Sequence, residues 1–297
     1  MLAASEARDV KSKREKPFIA GVTTIAVLSS LLLLGMVFFM FRESLPIWSD
    51  IGVFQFLTGT TWRPVAAEPI MGIAAMLVST LWVALGALVI AAPIGFGCAI
   101  FMAEFAPRSL AAVIRPVLNM LTGIPSVVYG FLGAAVLVKY FEATFDLASG
   151  ESLFAASLVL AIMILPFIIA NSEAALRAVA PQIRYAGLSL GVSRQYYTVH
   201  ILVPMARKGM IGALVLGLGR AMGETMAVLM LAGNTLLLPI SWFSKGEPLS
   251  ALIALEIGSA TPGTAHYQAL FAAGLVLVVL VITVNLMMNT ILAGLKR

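Results

Sequence analysis

Arg220 and Glu224 stand four residues apart inside the apolar run Gly217-Leu218-Gly219-Arg220-Ala221-Met222-Gly223-Glu224-Thr225-Met226-Ala227-Val228. Neither 209–219 nor 225–244 carries another charge. A charge at bilayer depth costs from about 2.5 to more than 10 kcal/mol, so it is kept where it faces a bundle interior or a watery path. The spacing puts both groups on one face of a helix. A guanidinium stays protonated when buried and forks bidentately onto oxyanions, so this pair suits an anion crossing a membrane. Glu224 would hold Arg220 while the site is empty and weaken the anion enough for release. The other reading is a structural ion pair locking the helix to a neighbour. Thr225, Ser126 and Thr122 offer neutral hydroxyls to the same anion, or bond back to their own helices. Gly219 and Gly223, with Gly212 and Gly217, have the small-residue spacing of close helix crossings, either against a second subunit or as plain packing.

The elements that must position these residues are membrane helices. Hydrophobic residues make up 61% of the 297 positions and charged residues only 11%, far below a soluble domain. Six stretches are long enough to span: 18–41, one within 69–103, 116–138, 152–171, 204–238 and one within 266–295. Pro93, Gly95 and Gly97 are expected to kink or end the second, and Pro204 suits the start of the fifth. The expected fold is therefore all-α. The first stretch is too long for a signal-peptide core and reads as a retained span. Counting Lys and Arg, fourteen fall on one side and four on the other, and Arg220 completes the nineteen. The positive-inside rule then puts both termini in the cytoplasm. The expected layout is a cytoplasmic tail at 1–17, the first span at 18–41, an extracytoplasmic loop at 42–68, and a core at 69–297 whose cytoplasmic loop covers 173–203. The single cysteine, Cys98, rules out an internal disulfide and reads as a small buried side chain. Glu104 and Arg108 read as an interfacial salt bridge and His200 as an interface residue. The methionines are scattered and read as packing, not metal ligands. There is no phosphate-cradling ATPase sequence, so any ATP hydrolysis belongs to another chain.

The loop at 173–203 contains Ala186-Gly187-Leu188-Ser189-Leu190-Gly191, then nine residues, then Ile201-Leu202-Val203-Pro204. It resembles the cytoplasmic loop of the ABC importer permeases, whose pattern is E-A-A-x3-G-x9-I-x-L-P. Ala186, Gly191, Ile201 and Pro204 fit; Tyr185, Gly187 and Val203 depart from it. Glu173-Ala174-Ala175 spells the motif literally but lacks the later residues, and reads as the end of the fourth span. A short amphipathic helix over 184–199 is expected, anchored to the membrane at both ends and able to transmit a push from a soluble partner. The runs at 217–228 and at 122–133 (TGIPSVVYGFLG) resemble the phosphate-importer permeases, more the PstC-like than the PstA-like subunit.

The resemblance implies a permease subunit of an ATP-driven phosphate importer in a bacterial or archaeal cytoplasmic membrane. It implies a second, PstA-like permease, a homodimeric PstB-like ATPase using ATP and Mg, and an extracytoplasmic PstS-like phosphate-binding protein. Transport would proceed by alternating access, with no covalent chemistry, cofactor or metal in this chain. Arg220, Glu224, Thr225, Ser126 and Thr122 would line the path, and Arg184, Tyr185, Ala186, Gly187, Gly191, Arg194 and Pro204 would face the ATPase. Arg184 or Arg194 would replace the acid missing at Tyr185. Another oxyanion stays open as the substrate. An ATP-independent secondary transporter or a non-transporting scaffold also stays open, though no internal repeat supports the former.

Overall fold

The computed structural model describes residues 2–179, 183, 185, 187, 189 and 191–294. The described residues are helical, with one small antiparallel hairpin. Helix α1 (Leu2–Asp50) is followed by α2 (Val53–Thr58) and the hairpin of β1 (Trp62–Arg63) and β2 (Ile70–Met71). Then come α3 (Ala74–Ile100), which runs into a π-helical turn at Phe101–Phe105, and α4 (Arg108–Gly123). Helices α5 (Ser126–Leu132) and α6 (Lys139–Phe145) flank a π segment at Gly133–Val138. After α7 (Leu153–Arg177), the short α8 (Arg194–Tyr197) passes through a π turn at Thr198–Leu202 into α9 (Val203–Met222). The chain ends with α10 (Met226–Leu229), α11 (Leu249–Glu256) and α12 (Ala265–Gly294).

Among the described residues, six helices are long and apolar enough to cross a membrane: Phe18–Asp50, Ala74–Phe105, Ser126–Phe145, Leu153–Arg177, Arg194–Met222 and Ala265–Met288. Three expectations need correction. The first helix continues past residue 41 to Asp50, so the expected outer loop begins as helix; there Trp48 packs edge-on against Phe56. The second helix runs unbroken through Pro93 to Ile100. The third does not begin at 116, because Pro125 forces Ile124 into an extended conformation (φ −72°, ψ 127°) and ends α4 at Gly123.

Helices α3, α7 and α9 form the centre. A Cβ at Gly86 would lie 2.6 Å from Ser157 Oγ, and one at Gly95 2.8 Å from Ile168 Cγ2, so α3 and α7 touch backbone to side chain. Trp242 fills the same junction and donates from Nε1 to Ser157 Oγ at 2.9 Å. One apolar cluster joins Ala87, Leu160, Ile164, Leu218, Met222 and Leu231 across these helices. A second surrounds Phe56, Trp62, Leu252 and Leu270 at one end, and a third surrounds Leu176, Tyr197, Leu202 and Met210 at the other. The apolar residues of α1 between Phe18 and Phe38 are exposed, a surface suited to hydrocarbon. Cys98 is also exposed, against expectation: α3 buries Ala91, Gly95 and Ala99, and Cys98 falls off that stripe.

Candidate functional site

The segment carrying Arg220 and Glu224 is not one helix. α9 ends at Met222, Gly223 caps it at φ −91°, ψ −4°, and a single turn restarts at Met226. Arg220 therefore lies in the last turn of α9, where the carbonyl end of the helix favours a cation. Glu224 lies beyond the break. Its Oε1 accepts from Ala227 N at 3.4 Å, and its backbone oxygen accepts from Ser250 Oγ at 2.8 Å. The two charges do not share a helix face, and among the described residues no carboxylate lies within ion-pair distance of Arg220. From Met230 onward the chain is irregular, with Gly233 at φ 83° and Asn234 at φ 42°, so the fifth span ends at Met222 instead of reaching 238.

A second break faces the first. The pre-proline turn at Ile124–Pro125 separates α4 from α5, and Tyr129 bridges it by donating its hydroxyl to Leu121 O at 2.9 Å. That carbonyl belongs to the last turn of α4, which has no intrahelical partner for it. A Cβ at Gly130 would meet Ala227 Cα at 2.9 Å and Met230 Sδ at 2.8 Å, so α5 crosses α10 in direct backbone contact. The structure thus brings the TGIPS and GET stretches together.

The hydroxyls differ in availability. Ser126 makes no hydrogen bond among the described residues, so its proton is free for a ligand. Thr122 donates to Asn119 O at 2.7 Å, and Thr225 to Gly223 O at 3.3 Å. Gly217 packs on Ile168 of α7, and Gly219 faces Asn285 of α12; both are crossings within the chain. A Cβ at Gly223 would meet only the carbonyls of Gly219 and Arg220. Tyr129, Gly130 and Ser250 escaped the sequence reading. Tyr129 and Gly130 sit inside TGIPSVVYG, but nothing in a single sequence marks Ser250.

At the other end, the helix expected over 184–199 does not run unbroken. Gly191 is left-handed at φ 74° and Val192 N donates to Gly187 O at 3.1 Å, a glycine stop of the Schellman type. Ser193 then caps α8, its Oγ accepting from Tyr196 N at 3.3 Å. Tyr185 is exposed, Gly187 packs beside Tyr197, and Pro204 sits in the first turn of α9. Arg184 and Ala186 lie outside the described residues. Arg194 stacks over Phe105 and pairs with buried Glu104 at 3.7 Å, so the carboxylate meets Arg194 and not Arg108. His200 is exposed and stacks on Tyr196. Glu173-Ala174-Ala175 lies in the last turns of α7, as expected.

A further acid cluster lies beside the hairpin, at Glu247 and Glu256. Glu256 accepts from Trp62 Nε1 at 3.0 Å and lies 2.7 Å from His266 Nε2. Glu247 beside it is buried, and burial pushes its carboxyl up to about 7, with the Glu256 charge adding to the effect.

Residues 95–297 match the family described as binding-protein-dependent transport system inner membrane component. The chain is 38% identical over 232 residues to the probable ABC transporter permease protein YqgH of Bacillus subtilis, covering 78% of this chain and 75% of that one. It is 34% identical over 271 residues to the phosphate transport system permease protein PstC of Haemophilus influenzae, covering 84% and 85%. Its fold matches the crystal structure of a bacterial ABC transporter that imports alginate, with a TM-score of 0.61 at 16% identity over 91% of this chain and 96% of that one. The chain is a multi-pass membrane protein and belongs to the family of binding-protein-dependent transport system inner membrane components.

Proposed function

We propose that this chain is the PstC-like permease subunit of an ATP-driven importer that moves inorganic phosphate across a bacterial or archaeal cytoplasmic membrane by alternating access. The observation that carries the reading is Arg220: a cation at a helix break, without a carboxylate partner among the described residues, in a chain similar to PstC permeases. Phosphate at neutral pH is a strongly hydrated mixture of mono- and dianion, so a path must replace its water with fixed donors and offset its charge. Arg220 supplies the charge and a bidentate fork, and Ser126 an uncommitted hydroxyl. Thr122 and Thr225 line the same path and reach the anion by giving up their local bonds. Glu224 acts through the backbone: by holding Ala227 N it keeps the break open, and its charge limits how tightly the anion is held.

The termini lie in the cytoplasm, with the segment around Gly191 docked on a PstB-like ATPase dimer that uses ATP and Mg. A PstA-like permease completes the path and a PstS-like binding protein delivers phosphate from outside. The test is labelled phosphate uptake in cells lacking other phosphate importers, comparing the chain with Arg220→Gln at matched membrane levels. Loss of uptake while the complex assembles and hydrolyses ATP supports the reading. Normal uptake by Arg220→Gln removes the arginine from the path. No phosphate uptake by the unaltered chain, with uptake of another oxyanion, moves the substrate assignment.

A further inference from the structure

Glu173, which the sequence offered only as a misplaced copy of a docking motif, anchors a polar cluster between α4 and α7. Its Oε1 accepts from Arg115 Nη2 at 2.7 Å and from Arg177 Nε at 2.8 Å. Arg177 Nη2 also donates to Met102 O at 2.8 Å, which ties the end of α3 to the cluster. The carboxylate is nearly buried, with 10% of its side-chain surface exposed, whereas the two arginines keep 49% and 47%. A cavity of about 410 Å³ opens on this pair, lined by Arg115, Asn119, Ala170, Glu173, Ala174 and Arg177. That is within the ordinary range of small-ligand pockets, about 300–1,000 Å³.

The charge does not balance. Bracing α4 to α7 needs one arginine on one carboxylate. Here two guanidiniums converge on a single oxygen and leave one positive charge in excess. Arg115 keeps Nε and Nη1, and Arg177 keeps Nη1, outside the bonds just described. Asn119 lies one turn beyond Arg115 on the same face of α4, and its side chain makes no hydrogen bond among the described residues. Ala170 and Ala174 give the cavity a low floor on α7. Two forked cations, an uncommitted amide and a small-residue floor form a receptor for a tetrahedral oxyanion.

We propose that the Arg115–Glu173–Arg177 cavity binds a phosphate group, at a site separate from Arg220. The same chemistry is offered by free inorganic phosphate and by the headgroup of an anionic phospholipid. The cavity lies at the end of α7 where the helix carbonyls add their own negative potential, so the arginines have to supply the surplus for any anion there. Glu173 holds the two cations in place and sets an upper limit on affinity.

The experiment uses the full chain in lipid nanodiscs, carrying Arg220→Gln so that the other arginine does not contribute. One arm titrates inorganic phosphate into nanodiscs of phosphatidylcholine; the other replaces part of that lipid with phosphatidylglycerol and adds no phosphate. Thermal unfolding is followed in both. The expected result is a saturable rise in Tm in at least one arm, and the arm that responds identifies the source. Arg115→Gln and Asn119→Asp should each shift the midpoint by about tenfold or more. Asn119 makes no hydrogen bond to Glu173 among the described residues, so Asn119→Asp tests the cavity even if Arg115→Gln destabilises the chain. No rise in either arm, or a rise that neither variant shifts, overturns the proposal.

Discussion

Replacing Gly130 by alanine should damage transport through geometry alone. The added methyl would lie 2.9 Å from Ala227 Cα, 2.8 Å from Met230 Sδ and 3.4 Å from Met226 O. Carbon atoms rest about 3.5–4.0 Å apart, so α5 and α10 must separate by roughly 0.6–1 Å. Met230 can swing away, but Ala227 Cα is backbone and has to move with its helix. Ala227 N is the group that Glu224 caps, so the displacement reaches the break between Glu224 and Arg220. Overpacking of this kind costs about 1–3 kcal/mol. A misplacement near 1 Å at a positioned site can cost about a hundredfold in rate. The expected outcome is a Tm lower by a few degrees and phosphate uptake reduced about tenfold or more at matched membrane levels. Gly212→Ala is the control, because nothing lies within 4 Å of a Cβ there. If Gly130→Ala behaves like Gly212→Ala in both assays, the close crossing of the two breaks does not position the site.

Ser250→Ala removes the donor to Glu224 O and should cost about 1 kcal/mol in thermal unfolding while lowering uptake more than an alanine at exposed Ser259. Glu247 gives a pH dependence. Its pKa is raised from the ordinary 4.5 to about 7, so the folded chain holds its proton where the unfolded chain has lost it. Stability should therefore fall as pH rises through that window, by about 1–2 kcal/mol after solvent screening. Glu247→Gln should flatten Tm against pH between 5 and 8; an unchanged slope would place the titration elsewhere. Gly191→Ala meets open space but keeps a φ of 74°, so it should cost about 1 kcal/mol and weaken co-purification with the ATPase. Normal co-purification would separate this turn from docking.

The sequence made the spans legible because hydropathy over twenty residues is a strong signal: all six expected positions overlap observed helices, the third and fifth only in part. The break at Pro125 was legible in principle, since a proline restricts the residue before it. The break at Gly223 was not. Past Glu224 the stretch is apolar and free of charge to residue 244, and hydropathy scores irregular chain of that composition like a helix. Its irregularity depends on the left-handed Gly233 and Asn234 and on partners distant in sequence, such as Ser152 N donating to Leu231 O at 3.0 Å. The Glu173 cluster was hidden for a related reason: Arg115 comes from a helix fifty-eight positions away. Arg220 itself stood out because a charge within an apolar span is costly at bilayer depth.

The way Arg220 is balanced has a consequence for the acidity of the medium. Had a carboxylate neutralised it, every arriving anion would have to displace that carboxylate, and occupancy would follow the carboxylate's own titration. The carbonyls at the end of α9 do not titrate. An arginine in their field is a fixed positive charge, and an arriving anion meets it without first displacing a carboxylate. Under the proposed function, the pH profile of transport then carries the ionisation state of phosphate that the site accepts.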